Sequence, residues 1–280
     1  MEPPEVEGQR SLKHLTGDES LSSPIYLLSM SLPKLLYSFL ELKDDILDFV
    51  YPQHCAICKK HLNREEKDIC EACWNSLVTL PDSFCPYCRS FYEPGDTKCG
   101  FCQSVGKIIE DHKITLVRSL GRFDDYYKEL IHRFKYGKKI PLGKRLAQRL
   151  GETINGDSNF SECHFLIPVP LHKSRYRERG FNQSEIIAEE ISKITNVPVL
   201  KNALKRKKNT KDQTNLSPQQ REENVSGAFV VTQPEMVNGK RIILVDDVIT
   251  TGATMNECAQ MLKQAGAEKI IGMTIAVVTD

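Results

Sequence analysis

Two adjacent aspartates, Asp246 and Asp247, stand directly after four apolar residues and just before a loop of small residues. The unbroken apolar run at 242–245 predicts a parallel strand that is buried on both faces, and such sheets bind ligands where their strands end. A helix is predicted from Met255. Hydroxyls, amide N–H groups and a glycine at a helix start suit a phosphate, and here they belong to Thr250, Thr251, Gly252, Ala253 and Thr254.

Carboxylates do not attract phosphate, but they accept hydrogen bonds from sugar hydroxyls. The decapeptide VDDVITTGAT at 245–254 therefore predicts a ribose 5-phosphate site. The alternative is an ordinary strand-to-helix turn with solvated aspartates.

The same decapeptide resembles the phosphoribosyl pyrophosphate (PRPP) signature of type I phosphoribosyltransferases. The resemblance implies that Asp246 and Asp247 contact the ribose 2- and 3-hydroxyls and that residues 250–254 hold the 5-phosphate. It also implies Mg²⁺, bound mainly by the diol and pyrophosphate of PRPP. Purine-salvage members carry an aspartate where this chain has Thr250. Because a threonine hydroxyl cannot replace a carboxylate base, purine salvage is disfavoured.

A second basic segment follows a short apolar strand predicted at 165–169. Arginine makes forked contacts with phosphate oxygens, so Arg175 and Arg179 are predicted to hold the pyrophosphate from a loop at the end of that strand. The alternative is a solvated basic loop. Further along, the polar segment 206–221 lies between strands predicted at 197–200 and 227–231. The resemblance to type I phosphoribosyltransferases implies that this segment is the flexible hood that covers PRPP.

Eight of the ten cysteines form four CxxC pairs. Such pairs hold Zn²⁺ in closed tetrahedral thiolate sites, two pairs to a metal, so two structural zinc ions are expected. A disulfide framework is the main alternative, and it is disfavoured because no signal peptide is recognised. Sequential pairing of the CxxC pairs is favoured over cross-braced pairing. The predicted ligands are Cys55, Cys58, Cys70, Cys73, Cys85, Cys88, Cys99 and Cys102.

Composition and charge set the domain organisation. The 280 residues carry a net charge of +1, yet residues 172–221 hold twelve Lys or Arg against five acids, which suits polyphosphate or nucleic acid. No apolar run reaches the roughly 18 residues of a membrane span, so a cytoplasmic protein is expected. The predicted parts are a disordered extension (1–31), an amphipathic helix (32–50), a double zinc-ribbon module (51–110) and a phosphoribosyltransferase-like α/β domain (111–280). Membrane contact by the amphipathic helix is the alternative to its packing on the zinc module.

The order of several motifs narrows the family resemblance. They are YPxxCxxC at 51–58, FKYGKK at 134–139, PVPLH and RERGFNQ at 168–183, QTNLSPQQREENVSGAF at 213–229, and the closing decapeptide. Together they resemble the ComF family of bacterial competence proteins, of the ComFC or GntX type, over residues 44–280. The resemblance implies a mostly parallel sheet with flanking helices and a role in natural transformation. Single-stranded DNA is the implied partner, and a competence helicase is a further candidate.

The resemblance does not establish an enzyme activity, so two hypotheses stay open. One is a PRPP-binding competence factor that assists DNA uptake. The other is an active phosphoribosyltransferase that transfers ribose 5-phosphate to a small acceptor.

Overall fold

The computed structural model describes residues 53–63, 66–80, 84–85, 113–208 and 217–278. The predicted extension, the predicted helix at 32–50 and three predicted zinc ligands (Cys88, Cys99 and Cys102) lie outside the described residues. In chain order the elements are α1 (Glu71–Asn75), β1 (Val117–Arg122), α2 (Asp125–Lys135), α3 (Ile140–Glu152), α4 (Ser158–Ser161), β2 (Phe165–Pro168), α5 (Lys173–Arg179), α6 (Gln183–Thr195), β3 (Leu204–Arg206), α7 (Pro218–Val225), β4 (Phe229–Val231), α8 (Pro234–Val237), β5 (Arg241–Ile249), α9 (Ala253–Gln264) and β6 (Lys269–Val277).

Four strands form a parallel sheet in the order β1-β6-β5-β2, which confirms the predicted fold class. The central strands consist of near-continuous apolar runs, and every residue of β6 after Lys269 is buried. Such runs suit strands that are covered on both faces. A second, antiparallel pair joins β3 to β4. The strand predicted at 197–200 is wrong, because Val199 makes only an isolated bridge to Leu166 and the strand beside the hood is β3.

Alternate residues of β5 enter two apolar clusters, one on each face of the sheet. Ile243 and Val245 belong to the cluster that contains the buried faces of α2, α3 and α6. Ile242 and Leu244 belong to the cluster that contains α9. This alternation follows from the two-residue period of a strand. The sheet therefore lies between two apolar layers, and the carboxyl end of β5 lies between α6 and α9.

The first cysteine segment packs into the same core. Leu62, Ile69, Trp74 and Leu77 are buried in the cluster of α2 and α3. The chain then follows the free edge of β1, where the amide of Leu80 donates to the carbonyl of Leu120 at 2.8 Å. Residues 53–63 and 66–80 are thus continuous with the α/β core. Within the described part of the chain, the longest helices have 13 residues, and none has the length and apolar character needed to cross a membrane.

Candidate functional site

The two adjacent aspartates lie in the second half of β5, beside the first turn of α6. The strand continues two residues beyond the predicted acidic strand end, because pairing with β6 extends through Ile249. Asp246 is half-buried, and Asp247 is only 4% exposed. Oδ1 of Asp246 accepts hydrogen bonds from the Ser184 hydroxyl at 3.0 Å and from the Asp247 amide at 2.9 Å. The acidic pair therefore has a fixed orientation near the carboxyl end of a central strand, where parallel sheets bind ligands.

Burial and neighbouring charge control the protonation of this pair. Desolvation, and after it the charge of Asp247, raises the pKa of Asp246 from 3.8 to about 7. The Asp247 amide, Lys135 and Ser184 act in the opposite direction. Lys135, the last residue of α2, places its Nζ 2.7 Å from Oδ2 of Asp247. One carboxylate is thus paired with an ammonium group, and the other titrates near neutral pH.

The loop after β5 turns at Gly252, whose φ of 84° lies in the left-handed region that favours glycine. Gly252 is the N-cap of α9, which starts at Ala253 and not at the predicted Met255. The Thr251 hydroxyl accepts a hydrogen bond from the Ala253 amide at 3.4 Å. First-turn amides have no partner within their own helix and attract anions. The predicted phosphate contacts Thr250, Thr251 and Gly252 lie between β5 and α9, and the other two, Ala253 and Thr254, are the first residues of α9.

Arg175 and Arg179 lie on α5, so the predicted basic loop is wrong. The His172 side chain caps the start of this helix, and Gly180 ends it in the left-handed conformation. Arg179 donates a hydrogen bond to Oε1 of Gln183, and its guanidinium lies 5.2 Å from the centroid of the Tyr136 ring. These contacts of Arg179 place it beside α2 and α6.

Arg206 on β3 links the arginines to the acidic pair. Its guanidinium interacts electrostatically with both Asp246 and Arg175. Burial lowers the pKa of Arg206, and the same group lies 5.2 Å from the centroid of the Phe229 ring. The carboxyl-terminal half of β5 therefore holds two carboxylates, one of them paired with Lys135 of α2, and Arg206 of β3 interacts electrostatically with the other.

Sequence reasoning did not single out Lys135, Ser184 or Arg206 as site residues. Lys135 and Arg206 approach β5 from remote segments, which no local pattern reveals. A signal for Ser184 was present, because Asn is a preferred N-cap and Asn182 caps α6 by accepting from the Ser184 amide at 3.1 Å. That cap places the Ser184 hydroxyl at the start of a helix that packs on β5.

Four of the predicted zinc ligands form a compact cluster. The sulfurs of Cys55, Cys58, Cys70 and Cys73 all lie within 4.8 Å of one another, and those of Cys58 and Cys70 are 3.7 Å apart. Four sulfurs at the Zn–S distance of about 2.3 Å form a tetrahedron with edges of about 3.8 Å. The donor set and its size therefore fit a structural zinc ion. The first two CxxC pairs lie together, as sequential pairing predicts, and no disulfide joins the described cysteines.

The ionisation of the cluster also favours a cation. Burial raises the pKa of the Cys55 thiol, but hydrogen bonds from the backbone of Cys70, Cys58 and Ile57 outweigh it and lower the pKa to about 6. Burial and the neighbouring sulfurs raise the pKa of Cys73 to about 12. Thiolates held this close together repel one another, and a zinc ion would neutralise their charge.

Comparisons with known proteins match two stretches of this chain to family models. A family model described as "Phosphoribosyl transferase domain" matches residues 179–279, and one described as "Double zinc ribbon domain" matches residues 46–108. Competence protein F of Haemophilus influenzae is 29% identical over 221 residues, which cover 77% of this chain and 93% of that protein. Competence protein ComFC of Bacillus subtilis is 28% identical over 207 residues, covering 73% and 82% of the two chains. The chain is therefore similar to competence proteins of the ComF type over most of its length.

Two further comparisons add a second kind of relative and a solved structure. The DNA utilization protein YhgH of Escherichia coli K12 is 28% identical over 226 residues, covering 78% of this chain and 94% of that protein. Among solved structures, the glutamine PRPP amidotransferase of B. subtilis, complexed with ADP and GMP, is 23% identical. The match covers 47% of this chain and 25% of that enzyme, with a TM-score of 0.33. A likeness at this level carries no argument about activity.

Proposed function

We propose that this chain is a member of the ComF family, binds PRPP and acts in natural transformation, where it assists the uptake of single-stranded DNA. The observation that supports PRPP most directly is the acidic pair in β5, followed within six residues by the Gly252 turn and the start of α9. In this proposal Asp246 and Asp247 accept hydrogen bonds from the ribose hydroxyls. Residues 250–254 hold the 5-phosphate. Arg175 and Arg179 bind the pyrophosphate, together with Arg206.

Magnesium belongs to the same proposal. Asp246 and Asp247, near the carboxyl end of β5, supply the hard oxygen ligands that suit this cation. When bound, it would neutralise the charge of the pyrophosphate. The chain would contribute few direct ligands, since Mg²⁺ retains water and binds chiefly to the diol and pyrophosphate of PRPP.

The surface beside the site supports a single-stranded DNA partner. Tyr136 is 52% exposed and Tyr176 is 47% exposed, and Arg179 lies over the first of these rings. Proteins that bind single strands combine such aromatic platforms with cationic grooves. The relatives named for competence and for DNA utilization agree with this partner. We propose a cytoplasmic location, with a competence helicase as a further partner.

Binding of PRPP is tested by calorimetric titration of zinc-loaded protein with PRPP and Mg²⁺. Asp247→Asn removes the negative charge that faces Lys135, so PRPP affinity should fall at least about tenfold. Asp125→Asn is the matched control, because Asp125 is exposed on the first turn of α2. If the unaltered protein does not bind PRPP, the proposed ligand is wrong.

Binding of DNA is tested separately with a labelled single strand at several salt concentrations. Affinity should fall steeply as salt rises, because the released counterions come from phosphates that the basic residues neutralise. Tyr176→Ala should weaken binding by removing a stacking surface. Equal affinity for single-stranded and double-stranded DNA would contradict the proposed partner.

The second candidate, an active phosphoribosyltransferase, is favoured by one observation. The pKa of Asp246, raised to about 7 by burial and by Asp247, is in the range of an efficient general base. Pyrophosphate release from PRPP that depends on an added acceptor and is abolished by Asp247→Asn would establish the enzyme. PRPP and DNA binding without turnover would establish the binding factor.

A further inference from the structure

A lysine from outside the matched phosphoribosyl transferase region contacts the acidic pair. The family model begins at residue 179, whereas Lys135 ends α2. The Lys135 side chain is 20% exposed and that of Asp247 is 6% exposed, so the 2.7 Å ion pair between them is largely shielded from water. Charges in such surroundings interact more strongly than charges at an open surface. The position of α2 therefore determines where the Lys135 ammonium group lies, and with it the orientation of the Asp247 carboxylate.

The turn that follows α2 is fixed by the first cysteine segment. Nζ of Lys139 lies 3.0 Å from Oδ1 of Asp68, whose side chain is only 6% exposed. The Lys139 amide also donates to the carbonyl of Arg133 in the last turn of α2. Lys138, which lies in the turn between α2 and Lys139, has a φ of 54°. Since that conformation is uncommon for a lysine, the turn needs contacts that hold it in place.

Asp68 is in turn part of the cysteine cluster. Its carbonyl accepts a hydrogen bond from the amide of Ala56 at 2.8 Å, directly after Cys55. Two residues further on, the amide of Cys70 donates to Sγ of Cys55 at 3.4 Å. The backbone of Asp68 therefore belongs to the cysteine cluster, and its carboxylate reaches the turn after α2.

We infer that the zinc ribbon positions the ribose-binding carboxylates: Asp68 holds Lys139, the turn fixes the end of α2, and Lys135 at that end holds Asp247. The inference rests on the proposed function, because it concerns affinity for PRPP. Two adjacent carboxylates repel each other, and Lys135 both neutralises one of them and fixes its orientation. Lys135 and Asp68 are positioning residues, and neither needs to contact the ligand for the effect.

The experiment compares PRPP affinity, zinc content and melting temperature in the full-length, zinc-loaded protein. Lys135→Met should weaken PRPP binding at least about tenfold, because it leaves a buried carboxylate without its partner. Lys135→Arg should recover most of that loss, which a merely structural lysine would not require. Asp68→Asn should weaken binding about threefold to tenfold while zinc content stays at the unaltered level. Combining Asp68→Asn with Lys135→Met should weaken binding no further than Lys135→Met alone, since both act through one contact.

Two variants keep the result interpretable. Lys139→Met breaks the same ion pair without altering the zinc ribbon, so it decides the outcome if Asp68→Asn loses zinc or fails to fold. Glu71→Gln is the matched control, because Glu71 lies in the same ribbon but pairs with Arg145 on α3 at 3.0 Å. Unchanged PRPP affinity in Lys139→Met and Lys135→Met would overturn the inference and leave the proposed function standing. Absence of PRPP binding by the unaltered protein would instead remove the proposed function, and the inference with it.

Discussion

The guanidinium carbon of Arg145 lies 3.9 Å from the centroid of the Trp74 ring. Arg149, one turn further along α3, lies 5.3 Å from the same centroid and donates to the Trp74 carbonyl at 2.7 Å. Cation–π contacts between partly buried groups are worth about 1–2 kcal/mol. The indole and the two arginines therefore attach the first zinc ribbon to the α/β domain.

Trp74→Ala should lower the free energy of unfolding by about 3–5 kcal/mol, because it removes a large side chain that is 9% exposed in the shared core. Denaturant unfolding measures this loss. Val78→Ala, four residues away and 73% exposed, should change stability by less than about 0.5 kcal/mol. A loss below about 1 kcal/mol in Trp74→Ala would mean that the ribbon contributes little to the stability of the domain.

Cys70→Ser should remove one zinc ion per chain and make unfolding less cooperative, because a Cys₄ site supplies folding free energy to its own segment. Elemental analysis and thermal unfolding are the measurements, with two zinc ions per chain expected before the change. Cys163→Ser is the control. That thiol is buried outside the cluster and donates to the Asn159 carbonyl at 3.4 Å, which a hydroxyl can also do. Equal zinc content in both variants would contradict the assigned ligands.

Asp246→Asn should raise the melting temperature at pH 8 and have a smaller effect at pH 5. The pKa of Asp246 is raised by burial and by Asp247 from 3.8 to about 7, so the folded state binds its proton more tightly than the unfolded state. The resulting stability is fully present below about pH 4 and is lost as the pH rises through 7. An asparagine does not titrate, so it avoids this loss at high pH. Melting curves of Asp246→Asn and the exposed control Asp125→Asn across this pH range test the sign.

Gly252→Ala should weaken PRPP binding at least about tenfold while lowering stability by only about 1–2 kcal/mol. An added Cβ would meet no atom closer than 3.7 Å, so the cost comes from its φ of 84° and not from a clash. Gly156→Ala is the matched control, because Gly156 has a φ of 86° with open space around it, in the connection between α3 and α4. It should lose similar stability with no change in PRPP affinity. Equal PRPP affinity in the two variants would remove the loop from the ligand site.

The sequence predicted those parts of the fold that depend on local composition. The apolar run before Asp246 identified a buried parallel strand, and the CxxC spacing identified the ribbon. The end of β5 could not be placed in this way, because Asp246 and Ile249 continue the strand only through their pairing with Thr274 and Val277 of β6. The pairing register with β6, which is distant in sequence, determines where β5 ends, and the local residue types do not.

Two misses at the site have different causes. The helix at α5 was open to prediction, since His172 at its start and Gly180 at its end are ordinary capping signals. The dense arginine run is compatible with a helix as well as with a solvated loop, because arginine is a good helix former. The contact between Lys135 and Asp247 was not open to prediction. It joins α2 to β5 through the packing of α2 on the sheet, and the local sequence of neither segment predicts the contact.

The contact between Trp74 and α3 also bears on how the chain is made. Synthesis produces the indole about 75 residues before Arg149, an interval of several seconds at about 5–20 residues per second. The four clustered cysteines, all between residues 55 and 73, are complete at the start of that interval. A zinc ion bound during that interval would keep the ribbon folded until α3 has been synthesised and can pack on the ribbon's apolar face. Zinc supply to the nascent chain, and not only to the finished protein, should therefore govern how much of it escapes aggregation in the cell.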